Sequence, residues 1–374
     1  MNIQTRRSFL KMASLLAMPT MAAQMKTDQR PTIPYVDGLC LSIPSTADED
    51  FRASGLAALI ADVSAASQVK TDDGSLRFTR NFEACSRSIV EARQQLRRKK
   101  NAFLALKGSE IKEAFNRGKT AVFLQFQGCE PLGEDLSRLD LFYELGLRVL
   151  QITHHNNNPF GGGCIEKNWT GLTKLGFEAV ERMNALGIIP DLAHVADPTS
   201  LDVLKASKRP VVVSHGGARA LVNNARCTSD EVIRGVAKSG GVMGIFMMSF
   251  WLTTDPAPSV EAVIKQLRQV IKVGGIETAA IANDYTLQGE LGLAKLNNDN
   301  REGVKNYWPW WDSVAKQGVL GFGERPSHVV IPELNNIRRL FTIHAALEKS
   351  GFKSGEMEKI MGGNWIRVLT ESLG

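Results

Sequence analysis

Two short runs constrain this chain more than any other stretch. Pro190-Asp191-Leu192-Ala193-His194-Val195 and Val211-Val212-Val213-Ser214-His215 are apolar or β-branched, and each closes on a histidine. A helix-compatible segment, Pro198 to Ser207, separates them. β-branched runs favour strands, and two neighbouring strands joined through a helix run parallel. In a (β/α) barrel the C-terminal ends of such strands share one rim, where the chemistry is kept. Imidazole is the commonest metal-holding side chain, so His194 and His215 are candidate ligands of one shared ion. The competing reading is that each histidine only ends its strand and bonds a loop.

The remaining chain repeats the strand-then-helix unit. Ile33 to Leu41 and Gly55 to Ala65 read as strands, and Thr79 to Lys99 as a helix. Thr120 to Phe126 is a strand ending at Gln127-Gly128, followed by an amphipathic helix from Leu136 to Glu144. Leu147 to Thr153 is a strand feeding His154-His155, and a helix from Leu172 to Leu186 stops at Gly187. Ile188 to Leu192 then feeds His194. After His215 come helix Ser229 to Lys238, strand Val242 to Phe246, helix Val260 to Val273 and strand Thr278 to Ala282, which leads to Asn283-Asp284. The tail is helical from Glu333 to Lys349 and from Gly355 to Leu369. About eight strands fit, which predicts an α/β fold with a closed TIM (β/α)8 barrel rather than a doubly wound sheet. A chain of 374 residues, 43% hydrophobic, can bury such a core.

The N-terminus reads as an address. Thr5-Arg6-Arg7-Ser8-Phe9-Leu10-Lys11 precedes a modest apolar stretch, Met12 to Met18, and small residues near Ala22. This pattern predicts a twin-arginine export signal over residues 1–25, ahead of one domain over residues 26–374. The expected partner is the twin-arginine export machinery and the expected compartment is the periplasm. The apolar run is too short for a stable membrane span, and no cysteine ends it for lipid attachment. The formal charge of +6 falls to +3 without Arg6, Arg7 and Lys11, which gives no argument for nucleic acid. The run Arg97-Arg98-Lys99-Lys100 suits the negative end of a helix. The five cysteines, Cys40, Cys85, Cys129, Cys164 and Cys227, are widely spaced, and their pattern selects no disulfide.

Several features have plain readings. Glu130, before Pro131 in a loop, reads as solvated. His155 should face away from His154 if the strand continues. His328 and His344 fall at unrelated spacing and read as structural or surface residues. Asn156-Asn157-Asn158 and Gly161-Gly162-Gly163 form a loop over the mouth, without the Lys-Ser or Lys-Thr of a phosphate cradle. The stretch Asn297 to Trp311, with Trp308, Trp310 and Trp311, is either a lid over the mouth or a packing cluster beneath it.

Leu150-Gln151-Ile152-Thr153-His154, Asp191-Leu192-Ala193-His194-Val195, Val213-Ser214-His215, Arg226 followed by Asp230-Glu231, and the tail Met361-Gly362-Gly363-Asn364-Trp365-Ile366-Arg367-Val368 recur together in one family. In these runs the chain resembles the membrane (renal-type) dipeptidases, peptidase family M19. The resemblance covers roughly residues 33 to 370. It implies a TIM barrel of the metal-dependent hydrolase type, two zinc ions cleaving dipeptides in typical members, and often a homodimer. It further implies that His194 and His215 hold the second metal, with Asp284 as the carboxylate after the last strand. His154 then polarises the scissile carbonyl and Arg226 meets the substrate carboxylate.

The first metal's ligands do not carry over. The family's His-x-Asp after Asp-Gly falls on Leu39 and Leu41, and its bridging Glu on Gln127. Leucine offers no lone pair, and an amide oxygen brings no negative charge. One zinc ion is therefore expected rather than two, held by His194, His215 and an oxygen from Gln127, Glu130 or Asp284. Three ligands and a water make a catalytic zinc site, with Asp284 free to accept a proton and His154 to steady an oxyanion. Two functional readings follow. One is an exported metallo-dipeptidase-like hydrolase of a dipeptide or related amide. The other is a non-catalytic or repurposed barrel that binds, or helps mature, a peptide-like ligand.

Overall fold

The computed structural model describes residues 30–41, 46–70 and 76–374. The expected export signal, residues 1–25, lies outside the described residues. Eleven strands occur among those described: β1 (Tyr35–Cys40), β2 (Leu56–Asp62), β3 (Ala66–Lys70), β4 (Leu76–Arg80), β5 (Ala102–Leu104), β6 (Thr120–Phe126), β7 (Leu147–Gln151), β8 (Ile189–Asp191), β9 (Val213–Gly216), β10 (Met243–Ile245) and β11 (Ala279–Ile281). One sheet has the order β1-β2-β6-β7-β8, with β5 beside β6, and a second has the order β11-β10-β9. Every pairing in these two sheets is parallel. Helices fill the connections, so the chain is α/β with a parallel sheet. Backbone bonds also run between the sheets. Leu192 N donates to Val212 O (2.8 Å) and Val212 N to Pro190 O (3.0 Å) on one side. Leu41 N donates to Tyr285 O (2.9 Å) and Asp284 N to Leu39 O (2.9 Å) on the other.

Strand alternation divides the core in two. Ala58 and Ile60 of β2, with Ala121 and Phe123 of β6, enter an inner cluster; Leu59, Ala61, Val122 and Leu124 enter the outer one, against the helices. Burial on both faces explains why these strands read as nearly continuous apolar runs. The inner cluster is closed by Trp365 from the last helix, Asn364–Leu373, whose indole N–H donates to Ile281 O (3.0 Å). Gly38 is needed here, because a Cβ would stand 2.5 Å from the Trp365 ring. This packing accounts for the glycine of Asp37-Gly38 and for the tryptophan of the closing motif.

Three differences from the sequence reading concern the mouth. The antiparallel hairpin β3–β4 was not expected; its short polar strands carry little periodic signal, and it takes Thr79 and Arg80 away from the helix. That helix runs Phe82–Arg98, capped by Asn81, whose side chain accepts from Ala84 N (2.8 Å). The third difference is that β7 stops at Gln151, so Thr153 to His155 lie in a loop. The tryptophan-bearing stretch is short helices, including Trp308–Ala315, and its packing role is seen directly. Trp310 lines the mouth, while Trp311 packs on Phe250 and Phe322 at ring separations of 5.6 and 4.5 Å. All five cysteines are buried and unpaired, and no helix among the described residues is long and apolar enough to cross a membrane.

Candidate active site

The two histidine-bearing units meet as their spacing predicted. His215 lies on β9, and His194 follows β8 in a tight turn where Val195 N donates to Leu192 O (3.2 Å). Their Nε2 atoms are 2.8 Å apart. Asp284 follows β11, with Oδ1 3.8 Å from His215 Nε2. His154 stacks on His194 at a ring separation of 4.3 Å. His155, Asp284 and His194 all have positive φ, at 65°, 64° and 63°. That left-handed backbone costs roughly 1 kcal/mol or more per non-glycine residue and recurs where function demands an unusual side-chain direction.

The left-handed turn at His155 corrects the expectation that its ring faces away. With β7 ended, alternation no longer applies, and the ring swings back until its Nδ1 lies 3.0 Å from His194 Nδ1. Gly163 permits this, since a Cβ there would sit 2.1 Å from His155 O. His154, His155 and His194 thereby bring ligand atoms within 4.8 Å of one another. His328 and His344 are structural, as expected. His328 Nδ1 bonds Ser249 Oγ (2.8 Å), and His344 Nδ1 bonds the Tyr35 hydroxyl (2.5 Å). Glu130 is half-buried rather than fully solvated: its Oε2 is buried with no partner among the described residues, and burial holds its carboxyl above the usual range.

A buried relay sets the orientation of His215. Asp191 Oδ1 accepts from Ser214 N (2.7 Å) and Ala193 N (3.0 Å); Oδ2 accepts from Gln125 Nε2 (2.7 Å) and Ser214 Oγ (2.6 Å). The single Ser214 hydroxyl proton is directed at the carboxylate. Ser214 Oγ then accepts from His215 Nδ1 (2.8 Å), which assigns the proton of His215 to Nδ1 and leaves a lone pair on Nε2. His194 Nε2 accepts from Arg226 Nη2 (2.9 Å), so it too presents a lone pair. Burial first, then the nearby Arg226 charge, pushes both imidazoles well below their usual pKa, which keeps them neutral. Burial raises the Asp284 carboxyl to about 7 against the pull of Arg226.

Two unprotonated Nε2 atoms 2.8 Å apart repel unless a proton or cation lies between them, and the single His194 lone pair is then divided between that position and Arg226 Nη2. The donor set of neutral imidazoles with a nearby carboxylate suits one zinc-like ion. The other half of a two-metal site does not fit: Leu39 is fully buried on β1, and Leu41 and Gln127 line the cavity without a charge. Arg226 sits behind the imidazole pair rather than on the cavity wall. Its Nη1 and Nη2 point to His215 O (3.4 and 3.3 Å), and its guanidinium lies 5.1 Å and 5.4 Å from the Phe246 and Trp251 rings. The cavity itself holds about 410 Å³ and is walled by His154, His155, His194 and Asp284, with Asp62, Arg80, Trp251 and Trp310 among the others. Sequence reading missed Arg80, His155 and the Asp191–Ser214 relay. For the relay, the Asp-x-x-His and Ser-His spacings were the available signal.

Comparison with known proteins gives consistent results. The membrane dipeptidase family (peptidase family M19) matches residues 44–299. The dipeptidase tcpJ of Claviceps purpurea is 30% identical over 272 residues, covering 72% of this chain and 55% of that protein. The chain thus spans about half the length of the curated relatives it matches. An amidohydrolase from Pseudomonas aeruginosa superposes with a TM-score of 0.73 at 25% identity, covering 91% of this chain and 97% of that one. A metallopeptidase from Rhodobacter sphaeroides, solved with a phosphinate mimic of the dipeptide L-Ala-D-Ala, gives 0.71 at 18% identity, covering 91% and 100%. That second likeness speaks to the fold.

Proposed function

Because the chain belongs to the membrane dipeptidase family, peptidase family M19, we propose that it is an exported hydrolase of dipeptides or related amides that works with one metal ion. The observation that carries this reading is the approach of the His194 and His215 Nε2 atoms to 2.8 Å, with Asp284 beside them, where His194 and Asp284 line a cavity of about 410 Å³. We take the two parallel sheets, with the backbone bonds that run between them at both sides, as a closed (β/α)8 barrel among the described residues. The Arg6-Arg7 pair supports passage by the twin-arginine route to the periplasm. Changing the pair to Lys-Lys should block that export.

His194 and His215 would hold the ion, with Asp284 beside them as the proton acceptor. Bound there, it would supply Lewis acidity at the scissile carbonyl and make a water acidic enough to attack near neutral pH. The remaining work falls to the chain. Asp284, with Oδ1 3.8 Å from His215 Nε2, accepts the proton of the attacking water and returns it to the leaving amine. His154, stacked on His194 beside the cavity, donates to the developing oxyanion. Asp191 and Ser214 keep His215 in the tautomer that offers Nε2. Trp251 and Trp310 narrow the mouth and exclude bulk water.

One observation favours the second reading, a binding barrel without catalysis. Arg226 already uses the His194 lone pair that an ion would take. Metal analysis separates the two. The hydrolase reading expects close to one ion per chain after exposure to zinc, with hydrolysis of a dipeptide panel that a chelator abolishes. Folded protein that takes up no ion and cleaves no dipeptide would leave only the binding reading.

A further inference from the structure

Arg80 ends β4, the strand of the hairpin laid over the mouth, and is only 6% exposed. It is the one arginine or lysine on the cavity wall among the described residues. Its Nε donates to Ser64 Oγ (3.0 Å), and Ser64 in turn donates to Asp62 Oδ1 (2.6 Å). Its Nη1 is buried with no acceptor among the described residues. The guanidinium is thus positioned through a serine, with the Asp62 and Glu130 carboxyls near enough to feel its charge but with neither bonded to it directly among the described residues. A buried guanidinium N–H left without an acceptor is completed by an anionic oxygen in the cavity it faces. Trp251, another wall residue, also has a buried indole N–H without an acceptor among the described residues.

We propose that Arg80 is the anion-binding residue of this cavity and takes the free carboxylate of the dipeptide-like substrate. The assignment rests on the reading that such a substrate enters the cavity. Arg226 is a poor alternative, since its Nη groups are spent on His194 and His215 and it does not reach the wall. Where typical relatives place a first metal, this chain presents Leu41 and Gln127 to the cavity. Arg80 supplies positive charge on that same wall, beside His154 and His155. The geometry therefore selects amides that carry a free carboxylate, and disfavours the same compounds once amidated.

The test compares two probes on the intact protein: a phosphinate analogue of Ala-Ala with a free C-terminal carboxylate, and its C-terminal carboxamide. Both carry the same phosphinate, so the ratio of their dissociation constants, read by calorimetry, isolates the carboxylate. The wild type should favour the carboxylate form by about 10–100-fold, the range of a charge-assisted bond. Arg80→Gln should bring the ratio close to unity, and Arg80→Lys, which keeps a point charge, should retain part of it. A preference that persists in Arg80→Gln, or is absent in the wild type, overturns the assignment while leaving the hydrolase reading intact. If the wild type binds neither probe, the assignment falls together with that reading. Should Arg80→Gln fail to fold, Arg80→Lys decides: a ratio unchanged from wild type in a variant that cannot make the guanidinium's forked contact also overturns it.

Discussion

Ser214→Ala removes one oxygen and tests the relay behind the metal site. Ser214 Oγ donates to Asp191 Oδ2 (2.6 Å) and accepts from His215 Nδ1 (2.8 Å). Asp191 keeps three N–H donors, from Ser214, Ala193 and Gln125, so its charge stays covered. The loss falls mainly on His215, whose Nδ1–H is left in the interior without an acceptor, at about 1–3 kcal/mol. The ring can escape that cost by moving its proton to Nε2, the atom that must be bare to hold an ion. Losing such an outer partner weakens metal affinity by about 10–100-fold. Competition for zinc against a chromophoric chelator measures the affinity, and urea unfolding of the metal-free variant measures the first cost. A folded Ser214→Ala protein that binds zinc within about twofold of wild type refutes the reasoning, because His215 would then need no help in choosing its tautomer.

Other substitutions probe the surroundings. Asp37 is buried, with its carboxyl raised to about 7 mainly by desolvation, from an ordinary 3.8. A raised carboxylate destabilises the fold progressively as pH climbs from about 4 to about 7 and by a constant amount above, up to about 4 kcal/mol. Asp37→Asn should therefore flatten the fall in unfolding free energy between about pH 4 and about pH 7; an unchanged fall counts against it. Arg226→Ala frees the His194 lone pair from the guanidinium 2.9 Å away, so zinc affinity should rise, while the fold loses about 1–3 kcal/mol of buried bonding. Affinity that falls instead would show Arg226 supporting the ion. Restoring the missing ligands with Leu39→His, Leu41→Asp and Gln127→Glu together should raise the metal content to two ions per chain by elemental analysis. A content unchanged from the single-ion state would mean that β1 no longer carries these positions at the required spacing. Trp310→Ala, beside His155 at 5.6 Å, should raise KM more than it lowers kcat and cost about 2 kcal/mol of stability. A drop confined to kcat would instead place Trp310 in the chemistry.

Residue identity along the chain already determined much of this protein. Alternating apolar runs and helical segments are local signals, and they announced the parallel strands with helices between them. The pairing of His194 with His215 followed from two histidines at one position of consecutive units. The missing first-metal ligands could be read directly, because Leu39, Leu41 and Gln127 stand where the family's motif demands charge. What only tertiary structure decided concerns direction and long-range packing. The sign of one φ angle turned His155 into the cluster, although alternation along an unbroken strand would have sent it outward. A hairpin too short and polar to register as periodic carried Arg80 to the cavity wall, while Arg226, expected from the resemblance to meet a substrate carboxylate, bonds His194 and the His215 backbone. Ser214 and Asp191 lie on separate strands, so their bond exists only once β8 and β9 sit side by side. Sequence pattern encodes which face of an element is apolar; it does not encode which buried charge finds its partner, since that depends on segments far apart in the chain.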